Sequence, residues 1–366
     1  MFLSAAELIL GLALVAMTLR DVFDTVIVPG GSHAAIHTAR RITFLLLPVW
    51  KRVRGRRRGL STLFAPLVLV LSFALWMLLL AFGFGLIAHA LRASFDPRLE
   101  SLGDSVYAAG SALVTIGDSG SQAEGAARWM VLAAGFCGLA VMTMAVTYLL
   151  EVQSSIAERD AGILKLKTSA GEPPSAIALL EKYAALDLQA ELAHVLRDGR
   201  TWCATVRQSH TSHPSLIYFR TIGTGSGWPA ALGALLDLAL IVEHWLHAPQ
   251  LRGLAVLLRE DGCRMAEDVA RLVGLEPEGT PLPAGTVDEM VRRLAVAGYQ
   301  GRGGFEAGAF AQAREEHASW VRAVAHHLGR EDTPLLPLPT GERAGERAGE
   351  RGSHEPPTGT PDSPSP

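Results

Sequence analysis

The chain has 366 residues, of which 49% are hydrophobic and 19% charged. A net charge of -3 and a pI near 6.5 argue against a dedicated nucleic-acid binder. Three widely spaced cysteines (Cys137, Cys203, Cys263) exclude a disulfide framework and a four-cysteine zinc site. The mean hydropathy of +0.25 comes mostly from the first 150 residues, so the pattern is that of a membrane protein with a soluble C-terminal half.

The first apolar run, Phe2 to Leu19, continues less cleanly to Val28 and stops at Pro29-Gly30-Gly31. It is long enough for a span, for which about 20 residues are needed. Met1 to Ile9 carries only Glu7, without the basic start of a cleaved signal, so a retained helix is expected. Arg20, Asp21 and Asp24 near its end are expected to pair with one another at an interface. The second run, Leu63 to Ala88, has no charge and a helical length of about 39 Å. The third, Trp129 to Leu150, is also charge-free and is bracketed by Arg128 and Glu151.

Between the first two runs, Arg40, Arg41, Lys51, Arg52, Arg54, Arg56, Arg57 and Arg58 stand without an acid among them. The positive-inside rule puts this loop in the cytoplasm, the N-terminus and residues 93–128 outside, and everything after Glu151 inside. The same cluster is suited to anionic lipid, although its role as a topology signal suffices.

Residues 101–121 are not an ordinary loop. Ser101 to Asp104 predicts a helix start. Ser105 to Val114 is small, apolar and too short to span. Thr115-Ile116-Gly117-Asp118-Ser119-Gly120 follows directly. Non-helical backbone at membrane depth survives only in protein or beside a water-filled cavity. With a charge-free helix on each side, the segment resembles the pore loop of tetrameric potassium-type cation channels. Thr115, Ile116 and Gly117 match the first three positions of that family's filter, T-x-G-[YF]-G. Asp118 and Ser119 depart from it. Weakly selective cation channels of the family resemble this chain in having Asp at the first of these positions.

The resemblance covers about residues 60–155. It implies an all-α membrane protein, with an outer helix (63–90), a pore loop (101–121) and an inner helix (128–150). It also implies a homotetramer, with Thr115, Ile116, Gly117, Asp118 and Ser119 as the filter and monovalent cations such as K+ as the permeant species. No bound cofactor is implied. On the last span Phe136, Ala140, Thr143 and Thr147 share one helical stripe and are expected to line the pore. Gly135 and Gly138 flank that stripe as a hinge or as close-packing residues. The loop's acids Asp96, Glu100, Asp104, Asp118 and Glu124 outnumber Arg92, Arg98 and Arg128, which would concentrate cations.

The sequence therefore divides into an N-terminal span (1–29), a basic loop (30–60), the pore-type module (61–155), a helical cytoplasmic domain (170–330) and a tail (331–366). In the soluble half, helices are predicted at 177–196, 230–247, 249–273, 286–299 and 305–328 after a linker at 168–174. Gly223, Gly225 and Gly227 are spaced G-x-G-x-G, which is not a dinucleotide fingerprint. His210/His213 and His244/His247, with Glu243 beside the second pair, make a metal site conceivable, although histidines on helices more often serve structure. The tail repeats Gly-Glu-Arg-Ala and is expected to be disordered. No nucleophile, base and orienter set assembles into an enzyme site. The leading expectation is a cation channel of a bacterial inner membrane. The rival is a membrane-anchored sensor or binding protein whose pore loop no longer conducts.

Overall fold

The computed structural model describes residues 2–26, 64–117, 120–220, 225–330 and 332–337. The basic cluster Arg40–Arg58, Asp118, Ser119, Gly223 and residues 338–366 lie outside the described residues. The described chain is mostly helical, and three helices are long and apolar enough to cross a membrane, which fits a multi-pass membrane protein. Contacts divide the chain into two compact units that are not successive in sequence.

The first unit comprises residues 1–161, 202–222 and 267–275. Helix α1 (Phe2–Val26) packs along α2 (Phe64–Ala90), close enough at Gly11 that a Cβ there would lie 2.7 Å from the Gly83 carbonyl oxygen. The outward side chains of α1, among them Leu3, Ile9, Leu10 and Met17, are exposed, as on a helix facing hydrocarbon. The expected mutual pairing of Arg20, Asp21 and Asp24 is present in part. Arg20 pairs with Asp24, but Asp21 is buried and accepts a hydrogen bond from Trp76 Nε1 of α2 at 2.7 Å. A carboxylate inside an apolar helix pair needs a donor, and the indole is the one the facing helix offers.

After α2 come a short 3-10 turn (Arg92–Ser94), strand β1 (Phe95–Asp96), helix α3 (Leu102–Leu113), strand β2 (Gln122–Ala123) and helix α4 (Ala126–Ala170). The two strands are a minor departure from the all-α expectation. They pair antiparallel, Phe95 opposite Ala123 and Asp96 opposite Gln122.

Helix α4 is 45 residues long and continues well past the predicted end at 150. Glu151 marks the end of the apolar run rather than of the helix. The following stretch, 152–170, has no proline, and Ala157, Glu158, Ala161, Leu164, Lys165, Leu166 and Lys167 in it favour helix. The helix stops at Gly171 (φ 84°), just before Pro173 and Pro174, so the predicted linker at 168–174 is half helix.

Below the apolar stretch, the end of α6 (Leu192–Ser212) and the 3-10 turn Pro214–Tyr218 pack on α4. Leu216 joins Leu69, Tyr148 and Val152 in one buried cluster. Arg159 is buried and donates to the carbonyls of Leu216 and Phe219. His213 lies edge-on to Tyr148, 5.0 Å between centroids, with Nε2 3.3 Å from Glu151. Burial, and then the nearby Arg159 charge, pushes His210 down to about 3, so its ring is neutral. Both rings of this pair are buried.

The second unit comprises residues 162–201, 223–266 and 276–366. Its centre is α7 (Gly227–His244), apolar on every side and buried for nearly its whole length. Helix α10 (Ala307–His327) packs along it, with α5 (Ala176–Ala185), α9 (Thr286–Val296) and the part of α8 (Pro249–Leu272) up to Ala266 completing the helical set. The single helix expected at 177–196 is instead broken at Asp187, whose φ is 59°, and a new helix begins at Leu192. Residues 332–337, inside the predicted disordered tail, are held by contacts within the second unit. Leu335 is buried, its carbonyl accepts from Ser175 Oγ at 2.9 Å, and the Thr333 carbonyl accepts from Arg314 at 3.2 Å.

Candidate functional site

The site is built from α3 and the residues that follow it. Ser101 and Asp104 form a reciprocal cap. Ser101 Oγ accepts from the Asp104 backbone N–H at 3.1 Å, and the Asp104 carboxylate accepts from the Ser101 backbone N–H at 2.9 Å. The bond from the Ser101 hydroxyl, followed by that from its backbone N–H, holds the Asp104 carboxyl below the usual carboxylate range. Ser105, Ala108, Ala109 and Ala112 of α3 are buried, and α3 lies against α2, where a Cβ on Gly85 would stand 2.5 Å from Val106.

At its far end α3 closes with a left-handed residue. The N–H of Thr115 bonds the Ala112 carbonyl at 3.0 Å, and the N–H of Ile116 bonds that of Ser111 at 2.8 Å. The Gly117 N–H reaches the same Ser111 oxygen at 3.1 Å. Thr115 has φ 61°, an uncommon conformation for a β-branched residue. Gly117 (φ 73°) and Gly120 (φ 68°) are also positive, and no atom crowds either glycine, so glycine is required there by backbone conformation rather than by space. Three consecutive N–H groups are thus turned back onto α3, and Thr115, Ile116 and Gly117 are exposed.

Two contacts fix where this turn stands. The first is with α4: a Cβ on Gly138 would overlap the Leu113 carbonyl oxygen, and one on Gly135 would meet the Ala112 oxygen at 3.4 Å. Both glycines let the end of α3 rest on α4, and α4 runs through them unbroken. The second is the strand pair, extended by the Glu124 N–H to the Ser94 carbonyl (2.8 Å) and Arg128 Nε to the Ala123 carbonyl (3.0 Å). It ties together the two ends of the segment that carries α3 and Thr115–Gly117.

On α4 the packed face is Met130, Ala134, Gly138 and Val141, and Phe136 points away from it, 73% exposed. Ala140 is half-buried, and Thr143 and Thr147 are exposed. The two hydroxyls donate back to the carbonyls of Leu139 (2.9 Å) and Thr143 (3.1 Å). Their protons are spent, so the groups they present outward are oxygen lone pairs, which suit a cation.

In the second unit, His244 Nε2 lies 3.8 Å from Glu243, and no group of three or more His, Cys, Asp or Glu side chains suited to a metal occurs among the described residues. The sequence reading missed a buried charge cluster there. Arg314 of α10 is bidentate to Asp237 of α7, at 2.8 and 3.0 Å, and His317 Nε2 lies 3.1 Å from the same carboxylate. Asp237, the one charged residue inside the apolar run Leu232–Val242, was the available signal. Compared with protein-family models, curated proteins and solved structures, the chain has no match.

Proposed function

We propose that this protein is a cation channel whose pore is enclosed by four copies of the chain. The observation that carries the reading is the segment 101–117. A capped helix too short to cross a membrane stands between two spanning-length helices and ends on an exposed Thr-Ile-Gly turn. Three of the turn's N–H groups are spent on α3, and the helix brings its partial negative C-terminal end to the same place. A cation leaving water exchanges its hydration shell for such oxygens. One chain supplies one strand of a filter, so a closed ring needs a symmetric assembly, with Phe136, Ala140, Thr143 and Thr147 facing its axis. Potassium is the default ion by resemblance. The orientation follows from the basic loop, with 93–128 outside, in the cytoplasmic membrane of a bacterium and with anionic lipid at Arg40–Arg58.

Asp118 and Ser119 make the filter weakly selective in this reading, since the family has an aromatic residue and a glycine there. Asp118→Tyr with Ser119→Gly is expected to raise the potassium-to-sodium permeability ratio several-fold. Reversal potentials under bi-ionic conditions measure it. An unchanged ratio, or a wild-type channel already strongly potassium-selective, removes these two positions from the account.

A further inference from the structure

Near the start of α1 and the end of α2, an imidazole is held between an acid and a guanidinium. His89 Nδ1 lies 3.0 Å from Glu7 Oε2, and Arg92 Nη1 lies 3.2 Å from His89 Nε2. The chemistry of the three groups fixes the proton. A guanidinium only donates, so Nε2 must be the bare nitrogen. The carboxylate only accepts, so Nδ1 carries the hydrogen. The ring is therefore neutral in this arrangement, and it is shielded, with its side chain 16% exposed. The charged groups it meets are Glu7 from α1 and Arg92 from the turn after α2, one on each nitrogen.

We propose that His89 is a proton sensor for the segment that carries Thr115–Gly117. Protonation puts a hydrogen on Nε2, where Arg92 donates. The hydrogen bond becomes a contact between two donors of like charge, while the bond to Glu7 strengthens. The ring stays with α1, and Arg92 has to leave. Arg92 opens the 3-10 turn that ends at Ser94. The Ser94 carbonyl holds the Glu124 N–H, and the next two residues pair with Gln122 and Ala123. Moving Arg92 therefore loosens the clamp that joins the two ends of the segment. The effect on conduction rests on the channel reading, whereas the effect on the clamp does not.

The test uses the full chain, reconstituted, with pH varied separately on each side of the membrane. Acidifying the side that bears residues 93–128 from pH 8 to 5.5 is expected to reduce potassium flux several-fold, with no such response from the other side. Hydrogen exchange at 92–96 and 122–124 should quicken over the same range. His89→Gln keeps both bonds, amide nitrogen to Glu7 and amide oxygen to Arg92, and cannot titrate, so it should conduct while both responses disappear. Arg92→Gln removes the like charge and should flatten both. Exchange that is the same at pH 8 and 5.5, or a response that survives in His89→Gln, overturns the sensor. A pH-dependent exchange in a protein that conducts at no pH supports the sensor and sinks the channel. Flux that ignores pH while exchange responds sinks the link from clamp to conduction.

Discussion

Gly138→Ala is expected to lower the thermal stability of the membrane unit sharply and to abolish cation flux, whereas Gly135→Ala leaves both close to wild type. The two glycines are three residues apart on α4 and differ in what an added methyl meets. At Gly135 it would stand 3.4 Å from the Ala112 carbonyl oxygen, a contact that a shift of a few tenths of an ångström relieves. At Gly138 it would overlap the Leu113 carbonyl oxygen. A side chain can rotate away from such a clash, but the backbone of a helix end cannot. Overpacking typically costs about 1–3 kcal/mol, and a rigid backbone neighbour puts this case at the upper end. The displaced residues are those directly before Thr115, so the turn loses its seat on α4. Unfolding in detergent and potassium flux from liposomes read the two effects. A Gly138→Ala protein as stable and as conductive as Gly135→Ala would show that the close approach carries neither function nor stability.

The second large effect is expected in the second unit. Arg314→Met should destabilise it by about 3–5 kcal/mol, because it leaves the Asp237 carboxylate buried without its cation. Asp237→Leu alone should be similarly damaging, and the double change should recover most of the loss, since replacing a whole buried pair by apolar groups is close to neutral. His317 keeps the recovery incomplete, because its Nε2 loses the same carboxylate. Chemical denaturation of the four variants gives the cycle. Equal losses in the single and double variants would mean that the pair matters for its volume and not its charge.

The same cluster sets a pH dependence. Burial raises the Asp237 pKa, but the Arg314 charge, aided by His317, outweighs this and holds the carboxyl below the usual carboxylate range. A folded pKa below the unfolded one gives stability that is present above about pH 4 and lost as pH falls through the folded value. Acid unfolding of this unit should therefore begin only below about pH 4, and the Asp237→Leu/Arg314→Met protein should lack that component.

The spans and the short helix before Thr115 were legible because each is written in local chemistry. A charge-free run marks a span, and Ser101 with Asp104 marks a cap whatever surrounds it. Three features were not legible. The end of α4 was placed at Glu151 because a change in polarity resembles a helix end, although the helix runs on through Gly162 to Ala170. The break at Asp187 lies inside a regular apolar pattern and depends on one residue adopting a left-handed conformation. The buried pairs Asp21–Trp76 and Asp237–Arg314 join residues 55 and 77 positions apart, and nothing local points one to the other. Glu7 and His89 were closer to legible. Each is a polar residue near one end of an apolar run, and antiparallel helices bring those ends together. In the candidate site, Thr115 and Gly117 were named from a motif, but the role of Gly138 as the seat of the turn required the packing.

Cation flux from the purified wild-type protein in liposomes separates a conducting pore from a closed one. With potassium inside, a bulky organic cation outside and a protonophore to report charge movement, the account predicts potassium efflux well above that of empty vesicles. Replacing potassium by sodium should give a flux of similar size, and vesicles carrying Gly138→Ala should behave as empty ones. A folded, membrane-inserted protein that moves neither ion at any pH or voltage contradicts the channel and leaves the membrane-anchored sensor.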